Sequence, residues 1–167
     1  FAYELKSDGF LSSQVTDVPG LTFLPRASSP AIIYGESAEG SLSLFARVKN
    51  DAAPFSLPIR TIAEKCVWDP SSKQLIAFCA VPQLVVSQNF LNEWYRGAVH
   101  TADSWWRVDA NTGDVESVYS PSESEGPIDA ENPIMDASGE TIAFMNAWDK
   151  TLWVLRVKTG SDKKTSL

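Results

Sequence analysis

One short pattern occurs four times along this chain of 167 residues: an apolar strand that ends in a charged residue followed by leucine or valine. The copies end at Leu5, Val48, Val108 and Val157, so successive copies lie 43, 60 and 49 residues apart. Self-similarity at roughly this period is the signature of repeat folds, in which each unit buries its apolar face against the next unit. The repeat therefore limits the choice of fold more than any single segment does.

A hairpin of two apolar strands precedes each of the last three copies. The paired strands are 21–25 with 31–34, 66–70 with 75–78, and 133–136 with 141–144. Pro, Gly, Asp and Asn at 69–72, 111–114 and 136–139 supply the chemistry of tight turns. A more polar alternating run follows three of the copies, at 10–16, 57–62 and 114–119. Four short antiparallel strands in such a unit are typical of a propeller blade.

The sequence therefore predicts an all-β fold, a β-propeller segment of about three four-stranded blades plus a partial blade. The partial blade covers 1–19, and the blades cover about 20–63, 64–128 and 129–167. Gly or Pro interrupts every helical pattern, and only 88–96 permits a helical turn. A β-sandwich also uses short strands and is the alternative architecture, but the regular repeat favours the propeller.

Charge and hydropathy exclude two classes of partner. The chain has 21 acidic and 14 basic residues, for a formal net charge of -7. Binding to phosphates needs clustered Lys and Arg, so we expect no nucleic-acid partner. No uninterrupted apolar run is long enough to span a bilayer as a helix, so we expect no membrane span in this chain.

The two cysteines occupy equivalent positions on opposite sides of one predicted turn. If the hairpin turns near 71–72, Cys66 faces Cys79 and Val67 faces Phe78. Directly opposed cysteines can form a disulfide, which would place the chain in an oxidising compartment. The alternative is a pair of small buried thiols. A zinc site needs more ligands than these two and the distant His100 provide, so we expect no metal.

Candidates for chemistry elsewhere are few. His100 is the only histidine and has Thr101, Asp103 and Ser104 nearby, but a nucleophile elbow is missing, so we expect no catalytic residues and no cofactor. Asp109 begins a segment, 109–114, that weakly resembles a calcium loop and is explained by turn formation. The acidic stretch 123–131 predicts a solvated loop, with a site for a cation or a basic partner as the alternative.

The longest feature outside the repeat is an insertion at 82–102. Long connections in compact domains tend to be functional. This one contains Trp94, Tyr95 and Arg96, residue types that anchor interfaces, and also His100. We therefore predict that these four residues form a binding surface. The alternative is that the aromatic residues fold under the loop as a small core.

Two hairpins suggest a family. WDPSSK at 68–73 and MDASGE at 135–140 are each followed by an Ile-Ala-Phe strand, and both resemble blades of TolB-type, WD-repeat-like propellers. CVW at 66–68, CAVP at 79–82, EWYRG at 93–97 and DKTLW at 149–153 are more narrowly similar to the C-terminal propeller of surface proteins from candidate-phylum bacteria. The resemblance covers about residues 60–157 and implies no reaction. The family usually has Gly in the first turn, where this chain has Ser72.

These observations predict a non-enzymatic binding or scaffold module, extracytoplasmic or at the cell surface, whose ligand is a protein or another macromolecule. The alternative is the propeller portion of a larger hydrolase or peptidase whose catalytic domain lies elsewhere. Residues 1–5 have the pattern of a third strand without the first two. We therefore expect the ring to be completed either by a second copy, as a homodimer, or by further N-terminal blades.

Overall fold

The computed structural model describes residues 1–27, 29–84 and 87–157. Strands dominate these residues, with one short α-helix and one 3₁₀ turn. The strands are β1 (Ala2–Leu5), β2 (Leu11–Val15), β3 (Thr22–Pro25), β4 (Ile32–Ala38), β5 (Ser41–Arg47), β6 (Phe55–Leu57), β7 (Cys66–Trp68), β8 (Ile76–Pro82), β9 (Asp103–Asp109), β10 (Val115–Tyr119), β11 (Ala130–Met135), β12 (Thr141–Asn146) and β13 (Thr151–Arg156). The 3₁₀ turn is Ala63–Lys65, and helix α1 is Phe90–Tyr95. The predicted all-β class is confirmed.

The strands form four antiparallel sheets, each made of strands that are consecutive in the chain. The first sheet is β1–β2, the second is β3–β6, the third is β7–β10 and the fourth is β11–β13. Short turns join neighbouring strands, as the turn-forming residues in the sequence predict. The exception is the connection from β8 to β9, which contains α1 and corresponds to the predicted insertion.

Apolar cores lie between successive sheets. Because alternate residues of a strand point to opposite faces, β8 packs in both directions. Ala77 and Cys79 contact the second sheet, whereas Ile76 and Phe78 contact the fourth. A smaller core around Val15 joins the first sheet to the second. The four sheets are therefore stacked in chain order.

One predicted strand is wrong in its position. The run 57–62 was expected to form the outermost strand of its unit, but β6 covers Phe55–Leu57. Pro58 follows immediately and has no backbone N–H with which to continue the ladder. Ile59 and Ile62 are instead buried along the connection to the 3₁₀ turn, where they pack against the sheets.

The cysteine hairpin has the predicted register. Cys66 pairs with Cys79 and Val67 with Phe78 across β7 and β8. The two Cα atoms are 4.0 Å apart and the two sulfur atoms 2.11 Å apart, which is disulfide distance. Both cysteines are buried in the core between the second and third sheets.

Candidate functional site

The 3₁₀ turn before β7 carries a lysine into the interior. Lys65 is completely buried, and its Nζ donates to Asp103 Oδ2 at 2.7 Å and to Asp129 Oδ1 at 2.5 Å. Thr101 Oγ1 at 3.0 Å and the carbonyl oxygen of Ala130 at 3.2 Å also lie within hydrogen-bond distance, so four oxygen atoms surround the three N–H groups of the ammonium. An isolated charge in the interior would be very costly, so this full set of partners is what makes a buried ammonium tolerable.

Asp129, directly before β11, is the centre of this cluster. Its carboxylate accepts hydrogen bonds from Thr101 Oγ1 at 2.8 Å and from Trp94 Nε1 at 2.9 and 3.1 Å. His100 Nδ1 lies 3.1 Å from its Oδ2. The backbone N–H of Asp129 donates to Asn146 Oδ1, at the end of β12. The Asp129 carboxylate therefore joins the insertion to the 3₁₀ turn, and its backbone N–H ties both to the fourth sheet.

The pKa values of the two carboxyl groups in the cluster are shifted in opposite directions. Burial raises the pKa of Asp103, and Lys65 offsets this only in part. Burial also acts to raise the pKa of Asp129, but Lys65 and the hydrogen bonds from Trp94 and Thr101 hold it below the ordinary value. Asp103 Oδ1 is buried and has no hydrogen-bond partner among the residues that the structure describes. Asp103 is therefore the carboxyl of the two that takes up a proton more readily.

Helix α1 covers the cluster from outside. Phe90 and Trp94 are four residues apart, so they share one face of the helix and are buried together with Leu42 and Ile62. Trp94 is only 7% exposed. The next residue, Tyr95, points away from this small core and is 54% exposed. The small core that was the alternative for the insertion therefore forms around Trp94, whereas Tyr95 lies outside it.

A second exposed ring reaches the same cluster from the fourth sheet. Trp148, in the turn between β12 and β13, is 49% exposed. Its Nε1 donates to the carbonyl oxygen of Thr101 at 2.8 Å, and its ring centroid lies 4.8 Å from that of His100. Tyr95 is held in a similar way, because its hydroxyl donates to Glu64 Oε1 at 2.6 Å. We call Tyr95, His100 and Trp148, which are each connected to Asp129 directly or through one neighbouring residue, the aromatic face.

The structure distributes the predicted binding residues over different environments. Tyr95 and Arg96 are exposed, His100 is half-buried, and Trp94 is buried. The binding role of these four residues stays a prediction. Because Trp94 is buried, its part in that role would be to hold Tyr95 in position.

The residues beside His100 in the sequence have other partners. Ser104 Oγ accepts from Trp106 Nε1 at 2.9 Å, and Asp103 binds Lys65. His100 instead meets Asp129 and Trp148. The histidine, serine and aspartate that are close in sequence therefore do not converge in space.

The prediction of a solvated loop at 123–131 holds only for its first part. Residues 123–127 form a loop that is largely exposed, but Asp129 is completely buried and Glu131 belongs to β11. The reason is that Lys65, 64 residues earlier, provides the countercharge that permits burial. Sequence reasoning also missed the roles of Lys65 and Trp148, because no local pattern links residues so far apart.

The segment 109–114 forms a turn, as expected. Asp109 Oδ1 accepts from the backbone N–H of Asn111 at 2.8 Å, and Gly113 has a φ of +81°, which favours glycine. Within the described residues, no group of three or more His, Cys, Asp or Glu is arranged to hold a metal ion. In the same part of the chain, no helix is both long and apolar enough to cross a membrane.

Comparisons with known proteins do not place the chain in a family. No protein-family model matches it, and no curated protein matches it.

Proposed function

We propose that the chain is a segment of a β-propeller that acts as a non-enzymatic binding module. Four consecutive antiparallel sheets with a core between each neighbouring pair support this architecture. Propeller blades are sheets of this kind, arranged in chain order around an axis. The ligand is a protein or another macromolecule, bound on the aromatic face.

The observation that carries this proposal is the support beneath two exposed rings. Tyr95 packs beside Trp94, with ring centroids 5.6 Å apart, and Trp94 is fixed by Asp129. Trp148 is fixed through the backbone of Thr101, whose side chain also binds Asp129. Rings that are exposed and already held in position lose little conformational entropy on binding, which suits them as interface anchors.

An extracytoplasmic location is part of the proposal. It is supported by the opposed cysteines, Cys66 and Cys79, whose sulfur atoms lie at disulfide distance. Disulfides persist in oxidising compartments and are rare in the cytosol of most organisms. The overall acidic charge suits a cationic partner better than an anionic one.

A phage-displayed random-peptide library, selected on the immobilised chain, tests the binding face. Peptides enriched on the wild-type chain should bind Tyr95→Ala or Trp148→Ala at least about tenfold more weakly, because each substitution removes an anchor. Phe10→Ala is the matched control, since Phe10 is also an exposed aromatic but lies between β1 and β2. Peptides that bind all four proteins equally would contradict the assignment of this face.

A further inference from the structure

A cleft of about 190 Å³ lies beside the aromatic face. It is lined by Glu64, Trp94, Tyr95, Glu131 and Asn132. Three elements that are distant in sequence build it: the 3₁₀ turn, helix α1 and strand β11. It is thus a product of the tertiary fold, and its one buried wall, Trp94, also belongs to the small core beneath α1.

The aromatic rings of this cleft meet at an angle. Trp94 and Tyr95 have an interplanar angle of 49° and form two neighbouring walls. The face of an aromatic ring carries partial negative charge and attracts cations. Trp94 already shows this property, because Lys65 Nζ lies 4.9 Å from its ring centroid. A corner of two rings is the kind of surface that recognises an organic ammonium group.

The charged residues that line the cleft, Glu64 and Glu131, are both acidic and therefore also attract a cation. Glu64 accepts from the Tyr95 hydroxyl, and a carboxylate can accept further hydrogen bonds at its other oxygen. Glu131 pairs with Lys150 at 3.0 Å, but the Lys150 side chain is 64% exposed. Exposed ion pairs are weak, so a ligand ammonium can replace Lys150 at little cost. Both carboxylates can therefore serve a bound cation.

Resting on the proposed binding function, we infer that this cleft receives a cationic side chain, lysine or arginine, from a basic segment of a protein partner. The aromatic corner contacts the methylene stem and the charged head, while Glu64 and Glu131 neutralise the charge. The aromatic face next to the cleft contacts the rest of the segment. Recognition of this kind is electrostatic and therefore weakens as salt concentration rises.

The test uses the indole N–H signal of Trp94 in a ¹⁵N-labelled chain. The probes are Nα-acetyl-lysine methylamide, its arginine counterpart, and the neutral Nα-acetyl-norleucine methylamide. Both cationic probes should shift the Trp94 signal to saturation, and the neutral probe should not. Glu64→Gln and Glu131→Gln should each lower the affinity of the chain for the lysine probe about threefold, as expected for the loss of one surface charge partner. Glu116→Gln, an exposed glutamate on β10, is the matched control and should leave the affinity unchanged.

Two further comparisons separate the sources of the cation. A peptide of several lysines and neutral residues should bind at least about tenfold more tightly than the single lysine probe, because additional contacts become intramolecular. Equal affinity for the peptide and for free tetramethylammonium would overturn the assignment to a protein segment. An equal shift with the norleucine probe, or no effect of either glutamine variant, would overturn the cation site.

These failures differ from a failure of the proposed function. Suppose that the selected peptides contain no Lys or Arg, no longer bind Tyr95→Ala and bind Glu64→Gln as well as the wild-type chain. The proposed binding face would then be supported and the cation site would be wrong. If no peptide depends on Tyr95 or Trp148 while the lysine probe still binds, the cleft stands and the wider face is wrong.

Discussion

Two regions depart from the usual rule that charged residues are exposed and apolar residues are buried. The cluster around Lys65 buries charged residues, whereas the first sheet exposes apolar ones. In the cluster, Lys65, Asp103 and Asp129 are completely buried. In the first sheet, Tyr3 and Leu5 on β1 are more than half exposed. Buried charges and exposed apolar patches are the informative exceptions in a folded protein. A buried charge reduces stability unless it is paired, and an exposed apolar patch marks a surface that can associate. In the cluster, Lys65 and the two aspartates neutralise one another. In the first sheet, no other described residue covers the exposed apolar side chains.

The outer face of the fourth sheet resembles the first sheet in this respect. Ile134, Leu152 and Val154 are more than 60% exposed and lie on one face. The opposite face of the same sheet, with Ile142 and Phe144, is buried against the third sheet. The second and third sheets therefore bury both faces, whereas the first and fourth sheets bury only one.

Removing the buried lysine should have the largest effect. Lys65→Met would leave two buried carboxylates without their countercharge, so we expect the free energy of unfolding to fall by about 3–5 kcal/mol. Urea denaturation monitored by tryptophan fluorescence measures it. Lys150→Met, which removes an exposed ammonium, is the control and should change little. A Lys65→Met chain as stable as the control would show that the cluster contributes no net stability.

The disulfide should rank second. We expect Cys66 and Cys79 to be bonded in protein from an oxidising host, because they face each other in register. Mass measurement after alkylation without reductant should therefore find no alkylated thiol. Reduction should lower the free energy of unfolding by about 3 kcal/mol or less, since the bond closes only a short loop. Two alkylated thiols in the unreduced protein would contradict the bond.

The two aspartates should differ from each other by a smaller amount. Both carboxylate oxygens of Asp129 accept hydrogen bonds, so the NH₂ group of Asp129→Asn would face a donor. Asp103→Asn can keep its accepting oxygen toward Lys65 and place NH₂ at the position of the unpartnered Oδ1. We expect Asp129→Asn to be less stable than Asp103→Asn by about 1–3 kcal/mol. Urea denaturation of the two variants at neutral pH measures this, and equal stability would contradict it.

The same aspartates predict a pH dependence. The pKa of Asp103 is raised in the folded state, so stability from this group is complete below its unfolded pKa and is lost as pH rises through the folded value. The pKa of Asp129 is lowered, so its contribution is present above its unfolded pKa and is lost as pH falls through the folded value. Asp103→Asn should therefore remove the decline of stability with rising pH above the ordinary carboxyl range. An unchanged decline in a urea series across mildly acid pH would count against it.

Substitutions of exposed apolar residues in the first sheet should affect stability least. Leu5 and Leu11 face each other across β1 and β2 on the open face of the first sheet. We expect the isolated chain to self-associate through its two open apolar faces, and Leu5→Lys with Leu11→Lys to reduce this while changing the free energy of unfolding by only about 0.5 kcal/mol. Light scattering over a concentration series measures association. A wild-type chain that is monomeric throughout would show that these faces do not associate.

Much of the fold could be predicted from residue patterns alone. Strand alternation and turn residues act over short distances, so the sequence predicts the three hairpins correctly. The equal spacing of Cys66 and Cys79 from one turn also predicts the register of the cysteine hairpin. The exception, the strand expected at 57–62, failed where an alternating apolar pattern competed with Pro58. Even the helical turn expected at 88–96 corresponds to α1.

The candidate site was decided by the tertiary structure. Sequence alone predicted a binding role for the insertion that contains Tyr95 and His100, because long insertions in compact domains tend to be functional. It could not indicate that Lys65 and Asp129 would be buried together, or that Trp148 would lie against His100. A charged residue is buried only when its countercharge arrives from another part of the fold, and that depends on how separate sheets stack rather than on any local pattern.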